Sequence, residues 1–187
     1  SSSMITQART AQGCCASLEA TLGQGLEPVE VSLLDQLQSA SPVPLMEDRQ
    51  PAAPDQLPPG RVLGSFQATC STDDHRQYLS DVGDDASPMA QLGLVHPGWL
   101  LRLANASLAR NVILGPWIHV RSVVDQVRPV AVGQEISVGG AVADHFERKG
   151  HRFVTLTVVV HGADNEASIV IEHTAIYEPR QVRQSKG

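Results

Sequence analysis

The sequence predicts an α+β fold in which an antiparallel sheet curls around one long buried helix. Three observations predict it. Trp99, Leu100, Leu103, Ala104 and Leu108 recur at helical spacing with apolar residues nearly all round, and such a helix needs a sheet to wrap it. Beyond Gly115-Pro116 the period switches to two: Trp117 to Arg128, Glu135 to His145, His151 to His161 and Ser168 to Glu178 are rich in Val, Ile and Thr, which suit a pleated, half-buried surface. The segments between these runs, Arg128 to Gln134, Glu147 to Gly150 and Gly162 to Glu166, carry turn residues, so consecutive strands pair as an antiparallel meander.

Taken in order, the chain opens on a proline-rich arm, residues 1–57, in which Ser1 to Ser3 ahead of Met4 read as an expression remnant. Seven of the 12 prolines fall between Pro28 and Pro59, which excludes one continuous regular element there. Val31 to Leu37 has room for about two helical turns and Ser17 to Leu22 for another, each too short to hold unless packed on something. An arm burying Leu33, Leu34 and Leu37 is expected to dock at least in part. From Gly60 the texture changes. Arg61 to Thr69 has strand character, and Ser71-Thr72-Asp73-Asp74 caps a short helix through Tyr78 and Leu79. A polar loop, Val82 to Pro88, follows. His96-Pro97-Gly98 then opens the buried helix, with Pro97 suited to its first turn. Residues 58–180 form one domain on this reading and 181–187 a C-terminal tail.

The formal net charge of −6 and pI near 5.6 provide no global basic field for gathering phosphodiesters, so nucleic acid is not an expected partner. Cys14, Cys15 and Cys70 are odd in number and lack metal-ligand or disulfide spacing, which fits a reducing cytoplasm and predicts no metal. No apolar run approaches the length of a membrane span, so no membrane partner is expected.

The segment Val127-Arg128-Pro129-Val130-Ala131-Val132-Gly133-Gln134-Glu135-Ile136-Ser137-Val138 resembles the "rPVrvGDtltv" signature of MaoC-like hydratases and dehydratases. Its spacing from the preceding helix and from the Arg148-Lys149-Gly150 hairpin also matches. The resemblance covers nearly all of Gly60 to Pro179 and implies the hotdog fold. It further implies action on 3-hydroxyacyl or enoyl thioesters, the coenzyme A or phosphopantetheine arm of an acyl carrier protein being part of the substrate and no separate cofactor needed. A homodimer or higher oligomer is expected, because a lone hotdog sheet leaves an edge strand open; a hotdog heteropartner is the alternative. In that family the chemistry sits in a D-x-N-P-x-H loop before the central helix. The matching loop here reads Asp85-Ala86-Ser87-Pro88-Met89-Ala90, with Ser87 for the asparagine and Ala90 where the histidine would stand. That change leaves two other readings open: a catalytically degenerate subunit that binds acyl chains or stabilises an active partner, and an acyl-thioester hydrolase.

Hydration of an enoyl thioester needs a base for water and an acid for the α-carbon. Asp85 is the first candidate for that work, with Asp84 beside it should the register differ by one; adjacent acids in such a loop otherwise serve as turn formers. His96, at the start of the buried helix, either anchors that helix or replaces the missing loop histidine. Gly98 offers a close approach and a free N–H as oxyanion donor, or serves only helix–sheet packing. His119 alternates with Trp117 and Arg121 on a strand face; such a face is ordinarily solvent or interface, from which it reaches a partner subunit's ligand. Arg148, Lys149, His151 and Arg152 make the one dense basic cluster, either a solvated turn or a patch for the phosphates of a carrier arm.

Overall fold

The computed structural model describes residues 29–84 and 88–183 in full, and the backbone of 2–10, 13–22 and 184. Strands β1 (Ser2–Thr10) and β2 (Gly13–Leu22) form an antiparallel hairpin. This corrects the helical turn expected over Ser17–Leu22: ladder pairing, such as Ser17 with Gln7 and Thr21 with Ser3, satisfies those backbone groups across the hairpin.

Helix α1 (Val31–Gln38) follows, then the short β3 (Gln50–Pro51), which pairs in parallel with β5 (Val112–Ile113). The main sheet has the order β4-β7-β8-β9-β6, all antiparallel, from β4 (Phe66–Thr69), β6 (Ile118–Gln126), β7 (Glu135–Arg148), β8 (His151–His161) and β9 (Ala167–Glu178). The meander is joined most tightly between β7 and β8, where Lys149 (φ 52°) and Gly150 (φ 78°) make a two-residue turn with both angles positive, the geometry matched to strand twist. The strand expected from Arg61 shortens to β4. Ahead of it the Gly64 N–H and C=O are both taken by the Asn111 side chain, at 2.7 and 3.0 Å, in place of a ladder.

Three helices precede the meander: α2 (Thr72–Val82), the four-residue α3 (Pro88–Gln91) and the central α4 (Pro97–Ala109). Helix α4 buries Leu100, Leu103, Ala104 and Leu108 against alternate residues of the sheet, Leu156, Val158, Val160, Ile169 and Ile171 among them. Its burial is one-sided, since Arg102 and Ala109 are exposed. The opposite face of the sheet is covered by α1, whose Leu37 is fully buried with Ala141, Val159 and Val170 while Leu33 and Leu34 pack alongside. Close approach is possible because residue 139 is glycine. A β-carbon there would lie 2.8 Å from the Leu37 carbonyl oxygen, inside van der Waals contact. The short helix α5 (Arg180–Gln184) ends the described chain.

Candidate active site

Two helix termini position the candidate site. Helix α2 starts at a capping box in which Ser71 Oγ accepts from the Asp74 amide and Asp74 Oδ2 from the Ser71 amide. It ends at Gly83 in the left-handed conformation (φ 69°), after which the Asp84 N–H donates to the Leu79 carbonyl at 2.9 Å. Asp84 is thereby held by a helix end. Its Oδ2 lies 3.4 Å from His96 Nε2, both side chains half-exposed.

His96 caps α4. Its Nδ1 accepts from the Gly98 N–H at 3.0 Å, so the neutral ring carries its proton on Nε2, the nitrogen facing Asp84. The Gly98 amide is therefore engaged where a free donor was expected: an N-capping side chain claims the first helical N–H groups. From α2, one turn apart, come His75 and Tyr78. Buried His75 accepts the His96 backbone N–H on Nε2 at 3.1 Å, and burial, then the neighbouring His96, lowers its pKa. Tyr78 tilts against His96 with ring centroids 5.3 Å apart, and the Arg102 guanidinium lies 5.5 Å from the phenol ring centroid. Burial, with Asp84 adding and Arg102 opposing, raises the phenol pKa, so Tyr78 is protonated at neutral pH.

The signature segment braces this loop. Val130 is buried in the core and its carbonyl accepts from Val95, Val132 donates to Gly93, and the Gly133 amide donates to Cys70. A cleft of about 450 Å³ opens beside the site, lined by His75, Arg76, Leu79, Ala90, Gly93 and Val132. Ala90 thus stands on a cleft wall with His75.

Of the residues singled out from the sequence, Asp84, His96 and Gly98 meet here, and Asp85 lies outside the described residues. His119 is elsewhere. On edge strand β6 its Nε2 lies 3.0 Å from Ser122 Oγ, which lies 3.0 Å from Nδ1 of the buried His173, and the two imidazoles stack at 4.6 Å. Arg148 and Arg152 occupy the end of β7 and the start of β8, either side of the Lys149-Gly150 turn. Arg152 is paired with Glu178 at 2.8 Å, and Arg183, outside the cluster, answers Glu147 at 2.9 Å. Sequence reasoning passed over His75, Tyr78 and Arg102. The available signal was the i, i+3 spacing of His75 and Tyr78 on a capped helix.

No protein-family model matches the sequence, and no curated protein does. Solved structures do match. The (R)-hydratase of A. caviae involved in PHA biosynthesis superposes with a TM-score of 0.54 at 17% identity, covering 64% of this chain and 96% of that one. The C-terminally truncated HadBC (3R-hydroxyacyl-ACP dehydratase) complex of Mycobacterium tuberculosis gives 0.54 at 18%, covering 63% and 95%. The MaoC-like dehydratase of Rhodospirillum rubrum gives 0.53 at 13%, covering 67% and 96%. Heteromeric complexes are thus among the similar structures, and no helix among the described residues is long and apolar enough to cross a membrane. A five-stranded antiparallel sheet wrapped on one central helix, shared with these proteins over nearly their whole length, gives this chain the hotdog fold of the MaoC-like hydratases and dehydratases.

Proposed function

We propose that the chain is a hydratase or dehydratase acting on 3-hydroxyacyl or enoyl thioesters of coenzyme A or an acyl carrier protein, with Asp84 as its general base and acid and His96 as the partner that orients the water. The observation that carries this reading is the convergence of Asp84, from the end of α2, and His96, from the cap of α4, at the N-terminus of the buried helix. Their 3.4 Å separation is longer than a tight charge-assisted bond and suits two groups that share a water. In the hydration direction that water donates to Asp84 Oδ2 while the His96 Nε2–H orients its oxygen. Asp84 takes the proton as the oxygen adds to C3, the C2=C3 π pair moves to C2 and the thioester oxygen, and the protonated carboxyl returns a proton to C2. Dehydration reverses these steps, and no net proton is lost. The test is loss of the conjugated-enoyl absorbance of a crotonyl thioester. Asp84→Asn is expected to slow it by roughly 10²- to 10⁴-fold with thioester binding nearly intact, since it removes proton transfer and little contact area. Asp85→Asn is expected to cost far less; the reverse order would transfer the role to Asp85.

Ala90 in place of the loop histidine favours a second reading, a hotdog subunit retained to shape an acyl tunnel or to support an active partner. Wild-type protein that binds an enoyl thioester yet neither hydrates it nor releases free thiol would promote this reading. Thiol release without hydration would indicate a hydrolase. In either case the subunit is proposed to dimerise, with itself or a hotdog partner, through the open edge at β6.

A further inference from the structure

The reading above, on which this inference rests, leaves one charge unmet. Adding hydroxide to C3 drives negative charge onto the thioester oxygen, and a donor must wait for it there. The backbone around the start of α4 supplies none. Val95 N–H donates to Val130, His96 N–H to His75 Nε2, Gly98 N–H to His96 Nδ1, and Trp99 and Leu100 N–H to the His96 carbonyl, while Pro97 has no N–H. A donor for the oxyanion must therefore be a side chain.

We propose that Tyr78 is that donor: its phenolic O–H, held over the Cα of Gly98, binds the thioester carbonyl oxygen and stabilises the enolate. The position follows from Gly98. A β-carbon on residue 98 would collide with the Tyr78 hydroxyl and would lie 3.2 Å from Cζ and 3.1 Å from His96 Nδ1, so the phenol oxygen occupies the space a side chain would fill. The ring is fixed by His96 on the helix cap and by Arg102 a turn further along α4. No residue among those described accepts a hydrogen bond from the hydroxyl, which leaves it free for a ligand. Arg102 beside the ring draws electron density from the phenol and strengthens its O–H as a donor. The hydroxyl donates a hydrogen bond and transfers no proton, so the proton balance of the Asp84–His96 steps is unchanged.

Tyr78→Phe keeps the ring and its contacts and removes only the O–H. Two readouts separate the donor role from packing. For crotonyl thioester hydration the variant is expected to lose about 10²- to 10³-fold in kcat with KM changed by no more than a few-fold. In infrared difference spectra with a ¹³C-labelled carbonyl, the bound thioester band should lie below its solution frequency in the wild type and return towards it in Tyr78→Phe. Gly98→Ala, which displaces the hydroxyl without deleting it, should reproduce both effects and add little to Tyr78→Phe in the double variant. Wild-type kcat and an unmoved band in Tyr78→Phe would overturn the proposal while leaving the hydratase reading intact. Wild-type protein that binds the thioester without hydrating it would overturn the hydratase reading, and the band shift would still decide for or against Tyr78. A wild type that binds no thioester would overturn both.

Discussion

At the residue scale, the acid response of the protein is set by histidines that take no part in the proposed chemistry. His173 is fully buried, and burial, reinforced by the neighbouring His119, pushes its pKa down to about 4 from an ordinary value of 6.5. Between those values the unfolded chain binds a proton that the folded chain refuses. The contribution is therefore complete above pH 6.5 and is lost as pH falls towards 4, a swing on the order of 3 kcal/mol. Chemical denaturation at pH 7 and pH 4.5 should show wild-type stability dropping steeply, and His173→Gln should flatten part of that drop. A slope unaltered in the variant would assign the sensitivity to His75 and His161, which burial also depresses. Cys70 shows the same physics for a thiol: burial, then Asp74, pushes its pKa up to about 11, so it should react with a disulfide reagent only on unfolding. His96 was legible in the sequence because a residue before Pro-Gly at a helix start has few other places to go. Tyr78 was not, since an aromatic on an amphipathic helix reads as packing. The carboxylate that faces His96 is Asp84, aimed there by the left-handed Gly83 cap, a backbone choice that loop composition does not encode, while Asp85 lies outside the described residues.

At the element scale, α1 is the part of the arm whose packing is most specific. Leu37 is fully buried and meets Gly139 at a contact no other residue could allow. Leu37→Ala is expected to cost about 2–5 kcal/mol, as for other fully buried leucines. Gly139→Val should expel α1 while leaving the β7–β8 ladder paired. Limited proteolysis checks both, with cleavage between 29 and 57 rising in each variant and the sheet staying resistant. If Gly139→Val left the arm protected, the docking described above would be wrong. The docked helix was legible in the leucine spacing at 33, 34 and 37. The hairpin over residues 2–22 was not, since an isolated stretch of mixed residues does not declare its pairing partner, and ladder bonds can override weak helical preference.

At the scale of the whole molecule, the β7–β8–β9 meander and the central helix were readable because period two and period 3.6 follow each other cleanly along the chain. By contrast β6, expected to pair with the next strand, β7, pairs with β9 instead, since periodicity carries no information on pairing order, and the proposed assembly rests on the edge it forms. Strand β6 closes one side of the sheet and leaves Ile118 and Val120 each 50% exposed, with Val124 exposed as well, an arrangement that invites another strand. Val120→Lys should convert a 40 kDa-class species to one near the 20.0 kDa of a single chain in sedimentation, with the melting profile of the subunit kept. A wild type that sediments as a single chain at micromolar concentration would remove the dimer from the picture. The Gly83 cap has a last consequence, for how such a protein can be altered. Because Asp84 is anchored to the end of α2 and His96 to the start of α4, and because Gly93 and Val95 are tied to Val132 and Val130, the proposed pair belongs to the scaffold and not to an interchangeable loop. An engineer wishing to retarget the cleft should therefore keep those ties and vary the exposed cleft-side chains of α2, such as Arg76. The pair should survive such a change.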